Sequence, residues 1–156
     1  MRRYNHENLD NIKDNVEIYR LATLIGLYSK EELIKYLDEI ILTLEEVPNE
    51  IIEASIGKDK KIDDISMSLR EYTKNGKCNK DYVLDVLIKI IAKQYYDKKI
   101  TLYEAIYYLD NLRKVENLKE DVEDTIIYLS DGYYLANEGI YGNLDTIKGE
   151  FEKFIL

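Results

Sequence analysis

The side chains best suited to chemistry in this chain of 156 residues are one histidine, one cysteine and 31 carboxylates. His6 lies in the polar stretch Met1–Glu7, which has no apolar run behind it and is not expected to act as a signal peptide. A lone histidine cannot build the two-histidine metal sites or the Glu-x-x-His pairs of di-iron bundles. It could serve a serine or cysteine nucleophile only by folding back onto the rest of the chain. Cys78 has Lys74, Lys77 and Lys80 close by in sequence, a setting expected to lower its thiol pKa. With no second cysteine and no base at hand, an incidental exposed thiol is the plainer reading, and no internal disulfide can form.

Carboxylates offer the remaining route. The densest block, Glu116, Glu120, Asp121, Glu123 and Asp124, sits where a helix begins, and carboxylates there complement the helix dipole without any metal. The alternating Asp/Asn pattern around a central glycine that makes an EF-hand loop is missing. Glycines never cluster into a phosphate-cradling loop. The expectation is no catalytic residue, no metal and no cofactor. An enzyme built on carboxylates and tyrosines alone is the least favoured class.

Helices must position these side chains, because apolar residues recur every three or four positions through most of the chain. Leu9, Ile12, Val16, Tyr19 and Thr23 mark the first helix, with Gly26 as its stop. Ser29 and Glu32 form a capping box that opens a second helix with Leu33, Leu37, Ile40, Ile41 and Leu44 on its apolar face. Pro48 suits the first turn of a short helix over 49–56 that stops at Gly57, and residues 58–61 read as a solvated turn. Ile62, Ile65, Leu69 and Tyr72 mark a fourth helix ending near Asn75–Gly76. Tyr82, Val83, Val86, Leu87, Ile90 and Ile91 mark a fifth, closing near residues 97–99. A second capping box, Thr101 with Glu104, precedes Ala105, Ile106, Leu109 and Leu112. Asn117 is placed to open a seventh helix and Asn143 to cap an eighth holding Leu144, Ile147, Phe151 and Phe154. The isolated glycines at 26, 57, 76, 139 and 142 read as helix stops.

One segment is contested. Asp131-Gly132 between β-favouring residues is a hairpin cue. Yet Val122, Ile126, Leu129, Tyr133 and Ala136 step along a helical seam, where Gly132 costs only about 1 kcal/mol relative to alanine. The seam predicts a helix. The fold class is therefore all-α, with about eight short helices in a single domain over residues 1–156.

An internal repeat runs through that fold. Ser29-x-x-Glu32-x-Ile34-x-Tyr36-Leu37-Asp38-x-Ile40 aligns with Thr101-x-x-Glu104-x-Ile106-x-Tyr108-Leu109-Asp110-x-Leu112, 72 residues on. A duplicated four-helix unit, with repeats over 8–76 and 79–156, explains this as a helical-repeat-like bundle. Coincidence is the competing account, because a capping box and an apolar face already fix about half of the matches. Asp38 and Asp110 occupy matching positions. The preferred reading has each hydrogen-bonding a neighbouring helix start; the functional one places both in a groove against a partner.

Charge narrows the partners. The net charge is −9, divided evenly between the halves. Such a field repels phosphate backbones and speeds association with a basic protein, although mild acidity also simply keeps a small protein soluble. No apolar stretch approaches the roughly 18 residues of a membrane span. Fifteen tyrosines, with no tryptophan and two phenylalanines, supply amphipathic contact surface, while abundant Ile, Lys and Asn point to codon bias as their source.

Leu21-Ala-Thr-Leu-Ile-Gly-Leu-Tyr-Ser-Lys-Glu-Glu-Leu-Ile-Lys-Tyr-Leu-Asp38 and Glu45-Glu-Val-Pro-Asn-Glu-Ile-Ile-Glu-Ala-Ser55 resemble a pattern in small helical bacterial proteins, some of them similar to immunity proteins of polymorphic or contact-dependent toxins. Tyr36-Leu37-Asp38 stands where those proteins carry Trp-Ala-Asp. The resemblance implies a bacterial cytoplasmic protein that neutralises a toxin by tight binding. The expected function is a non-enzymatic acidic binding module for a protein partner, in its most concrete form a basic nuclease-type toxin domain, with neither nucleic acid nor membrane as partner. A structural or regulatory adaptor for a peptide or protein is the alternative. The candidate contact residues are Asp38, Glu45, Glu46, Asp110, Glu116, Glu120, Asp121 and Asp124, with Tyr107 and Tyr134.

Overall fold

The computed structural model describes residues 9–74 and 78–156; His6, Asn75, Gly76 and Lys77, named above, lie outside them. The apolar rhythm becomes α1 (Leu9–Leu24), α2 (Lys30–Thr43), α3 (Asn49–Ser55), α4 (Ile62–Lys74), α5 (Lys80–Tyr96), α6 (Leu102–Val115), α7 (Glu120–Asn137) and α8 (Leu144–Phe154). No strand occurs among the described residues, and no helix among them is long and apolar enough to cross a membrane. By its contacts the chain divides into two compact units, one running through Leu87 and the other from Ile88 to Leu156, with the division inside α5.

In unit 1, α1 packs on α4 and α2, and α3 packs on α2 and α4. The apolar faces meet in a core of Ile12, Val16, Leu33, Tyr36, Leu37, Ile40, Ile51, Ala54, Ile65, Leu69 and Tyr72. Tyr19 stacks flat on Tyr36, with ring centroids 3.9 Å apart. In unit 2, α6 packs on α7 and α7 on α8. The ring of Tyr95, near the end of α5, meets Phe151 of α8 edge-on at 5.0 Å. Ala105, Ile106, Leu109 and Leu112 of α6, Ile126 and Leu129 of α7, and Ile147 and Phe151 of α8 are buried.

The contested segment is helical throughout. Gly132 lies where α7 crosses α8: a Cβ there would stand 2.5 Å from Ile147 Cδ1. The hairpin cue loses because a turn at Asp131-Gly132 would expose the buried Ile126–Leu129 seam.

Three local expectations shift. Pro48 is the N-cap of α3 rather than a first-turn residue, its carbonyl accepting from the Ile51 and Ile52 N–H groups at 3.1 and 3.3 Å. Asn117 does not open α7: the helix begins at Glu120 with Lys119 at the N-cap and no side-chain capping bond. Gly57 is not a left-handed stop. It is buried against Ile65, where a Cβ would come within 2.9 Å of Cγ1, so close approach is what requires it.

The 72-residue offset reappears in the backbone. The ends of α1 and α5 match at that offset, as do both ends of α2 and α6. Both capping boxes are complete, with Ser29 Oγ accepting from Glu32 N–H and Thr101 Oγ1 from Glu104 N–H at 3.1 Å each. Beyond this helix pair the lengths part company: α3 has 7 residues and α7 has 18.

Candidate functional site

Unit 2 gathers tyrosine side chains on the α6–α7 hairpin. Tyr103 and Tyr107, one turn apart on α6, stack with centroids 6.1 Å apart, and Tyr103 meets Tyr133 of α7 at 5.6 Å. Contact between the start of α6 and the last turns of α7 makes the pair antiparallel. Tyr107 retains 50% exposure, Tyr128 52% and Tyr134 59%, so about half of each ring is free to meet another molecule. Aromatic surface of this kind loses little side-chain entropy when it is covered.

Carboxylates accompany the tyrosines of α7. Between Lys119 and Lys148 the chain carries seven acidic residues and no basic one. Within α7, Glu120, Asp121, Asp124 and Asp131 are exposed. Stepping by 100° per residue puts Asp121, Asp124, Tyr128 and Asp131 on one side of α7, opposite the buried Ile126 and Leu129. Acid and tyrosine therefore share the outer face of the helix.

No protein-family model matches the chain, and no curated protein or solved structure matches it either.

The ten expected contact residues divide between the units. Tyr107, Asp110, Glu116, Glu120, Asp121, Asp124 and Tyr134 belong to the α6–α7 hairpin, whereas Asp38, Glu45 and Glu46 are exposed on and after α2. Asp110 does not reach a neighbouring helix start. Its carboxylate accepts from Arg113 Nη2 at 2.8 Å and pairs with Lys114 Nζ at 3.2 Å, both within α6, because residues three and four apart share one side of a helix. Asp38, its counterpart in α2, is solvent-exposed. As contact residues, Tyr103, Tyr128, Tyr133 and Asp131 were passed over in the sequence reading. The missing signal was the long cation-free run after Lys119, visible only when charge is read segment by segment.

A second polar cluster, in unit 1, also escaped that reading. Glu17 is 2% exposed and accepts four hydrogen bonds: Arg20 Nε and Nη2 at 2.7 Å each, Thr73 Oγ1 at 3.0 Å and Lys80 Nζ at 2.8 Å. Arg20, equally buried, also donates to Ser66 Oγ at 2.9 Å. Asp14 accepts from the Asn79 N–H at 2.8 Å, so α1 fastens the start of α5. A cavity of about 190 Å³ opens beside these groups, lined by Glu17, Arg70, Thr73, Lys74, Cys78 and Lys80. Burial alone would raise the Glu17 pKa, but the hydrogen bonds and charges of Arg20 and Lys80 outweigh it and hold the carboxyl down at about 2.

The lysines do not activate Cys78. Burial, then the charges of Glu17 and Asp14 and a hydrogen bond to Asp14, push the thiol up to about 12, against which Lys80 counts for less. The expected lowering came from lysines near in sequence; the deciding carboxylates come from α1. Neither Glu17 nor Cys78 is set for proton transfer or nucleophilic attack near neutral pH.

Proposed function

We propose that this chain is a non-enzymatic binding module that docks a basic protein on the outer face of its α6–α7 hairpin. The observation behind this reading is half-exposed Tyr128 set among exposed Asp121, Asp124 and Asp131 on one side of α7, a helix without a single basic residue. Tyrosine supplies the area that excludes water, and the carboxylates steer a cationic surface into register. In its specific form the module is a cytoplasmic immunity protein, and the surface it covers is the positive substrate patch of a nuclease-type toxin. The resemblance in residues 21–55 motivates that form, and a basic nuclease patch has the charge the hairpin complements.

Photo-crosslinking in cells that naturally make the protein tests the proposal. A photoreactive amino acid at Tyr128 is expected to capture one dominant basic protein, and the same group at exposed Leu42 of unit 1 to capture none. Inhibition of the captured protein's nuclease activity by an equimolar amount of this chain supports the immunity form. Equal capture at both positions, an acidic partner or no adduct overturns the docking face.

A further inference from the structure

Unit 2 holds a cleft of about 420 Å³ whose charge runs against that of the rest of the chain. Lys98 and Lys99 line it from the α5–α6 turn and Lys148 from α8, with Tyr95 and Tyr96 on the wall. The acidic residue on the lining is Glu152, whose carboxylate accepts from Tyr95 Oη at 2.8 Å. The half-exposed ring of Tyr96 stands edge-on to Tyr95, 5.2 Å between centroids. Three ammonium groups from two segments against one carboxylate give the lining a net positive charge, which an anion would meet on entering.

The 72-residue offset shows that a helix end of this build does not require Lys98 or Lys99. Lys98 corresponds to Gly26, and the two helix ends are built alike. Gly26 N–H donates to Thr23 O at 3.1 Å and Leu27 N–H to Ala22 O at 2.8 Å; Lys98 N–H donates to Tyr95 O at 3.0 Å and Lys99 N–H to Gln94 O at 2.9 Å. Both residues are left-handed, with φ 92 for Gly26 and 60 for Lys98, the one non-glycine residue of positive φ among those described. Glycine takes that conformation freely, and a lysine there is strained. The earlier helix end has Gly26 and Leu27 where the later one has Lys98 and Lys99, so these two positive charges belong to the later one alone. A charged side chain at a strained position points to a role in binding rather than in folding.

We propose that this cleft binds a small phosphate ester carrying a flat ring, the phosphate among Lys98, Lys99 and Lys148 and the ring against Tyr96. Its volume falls within the range of small-ligand pockets, lysine ammonium groups serve phosphate as point charges, and an exposed aromatic ring accepts a planar group by stacking. This binding does not rest on the docking of a basic protein proposed above.

Isothermal titration of the full chain with AMP, adenosine and inorganic phosphate tests it. AMP is expected to bind saturably at one site, and more tightly than either fragment. Lys98→Gly separates binding from folding: its thermal midpoint is expected to rise as the strain is relieved, while AMP binding weakens by about tenfold. Lys148→Ala is expected to weaken AMP binding similarly, and Lys58→Ala in unit 1 to leave it unchanged. Absence of saturable AMP binding, equal binding of AMP and adenosine, or unchanged affinity in Lys98→Gly overturns the assignment.

Discussion

Glu17 accepts four hydrogen bonds on two oxygens, and two of its donors carry full positive charge. Replacing it with glutamine removes the carboxylate charge with which Arg20, 3% exposed, pairs at 2.7 Å. Breaking a buried pair from one side costs about 3–5 kcal/mol, so Glu17→Gln is expected to lose that much in urea unfolding at neutral pH. Acid tests the same group differently. Its folded pKa of about 2 lies below the ordinary 4.5, so the stabilisation is complete above 4.5 and lost as pH falls toward 2. At about 1.4 kcal/mol per pKa unit this amounts to about 3 kcal/mol. The gap between wild type and Glu17→Gln should therefore narrow between pH 4.5 and 2, and a constant gap would refute the assigned charge. Cys78 gives a second residue-scale test. A thiol pKa near 12 instead of 9 leaves roughly a thousandfold less thiolate at pH 8, so a disulfide reagent is expected to label Cys78 rapidly only after denaturation.

Helix ends and crossings decide what can be changed at the scale of elements. Ser29→Ala and Thr101→Ala each remove one half of a complete capping box, and each is expected to cost about 1 kcal/mol in chemical denaturation. Two glycines separate space from propensity. At Gly57 a Cβ would meet Ile65 Cγ1 at 2.9 Å and the Ala54 carbonyl oxygen at 3.0 Å, so Gly57→Ala is expected to destabilise by about 1–3 kcal/mol. Gly149, inside α8, has nothing within 4 Å of such a Cβ, and Gly149→Ala is expected to stabilise by about 1 kcal/mol. Thermal midpoints moving in the same direction for both would contradict this. The same contrast shows what the sequence could reveal. Capping boxes, the Asn143 cap and the α7 seam were legible because each depends on residues within a few turns. The bonds of the Glu17–Arg20 pair to Ser66, Thr73 and Lys80, the reason for Gly57 and the raised thiol of Cys78 were not, since each depends on neighbours from another helix. Half of the candidate face was legible as an acidic block after Glu116, whereas the Tyr103–Tyr133 contact needed the antiparallel pairing of α6 and α7.

A net charge of −9 acts at longer range than any one contact, and on α7 it has a definite form. Asp121 and Asp124 are about 4.5 Å apart along the helix axis and Asp124 and Asp131 about 10.5 Å, at 1.5 Å per residue. The screening length is about 30 Å at 0.01 M salt and about 8 Å at 0.15 M. In dilute salt the three carboxylates therefore attract an approaching basic surface together, whereas at physiological salt Asp121 and Asp124 still act as a pair and Asp131 acts nearly alone. Encounter should follow the charge and residence should follow the rings. For the partner captured at Tyr128, the double reversal Asp124→Lys with Asp131→Lys is expected to lower the association rate by about tenfold at low salt and much less at 0.5 M. Tyr128→Ala with Tyr107→Ala is expected to raise the dissociation rate by about tenfold or more, with the association rate held within about threefold. Stopped-flow mixing across a salt series measures both. An association rate indifferent to salt, or tyrosine variants that dissociate like wild type, would assign the docking of a basic partner to some other surface of the chain.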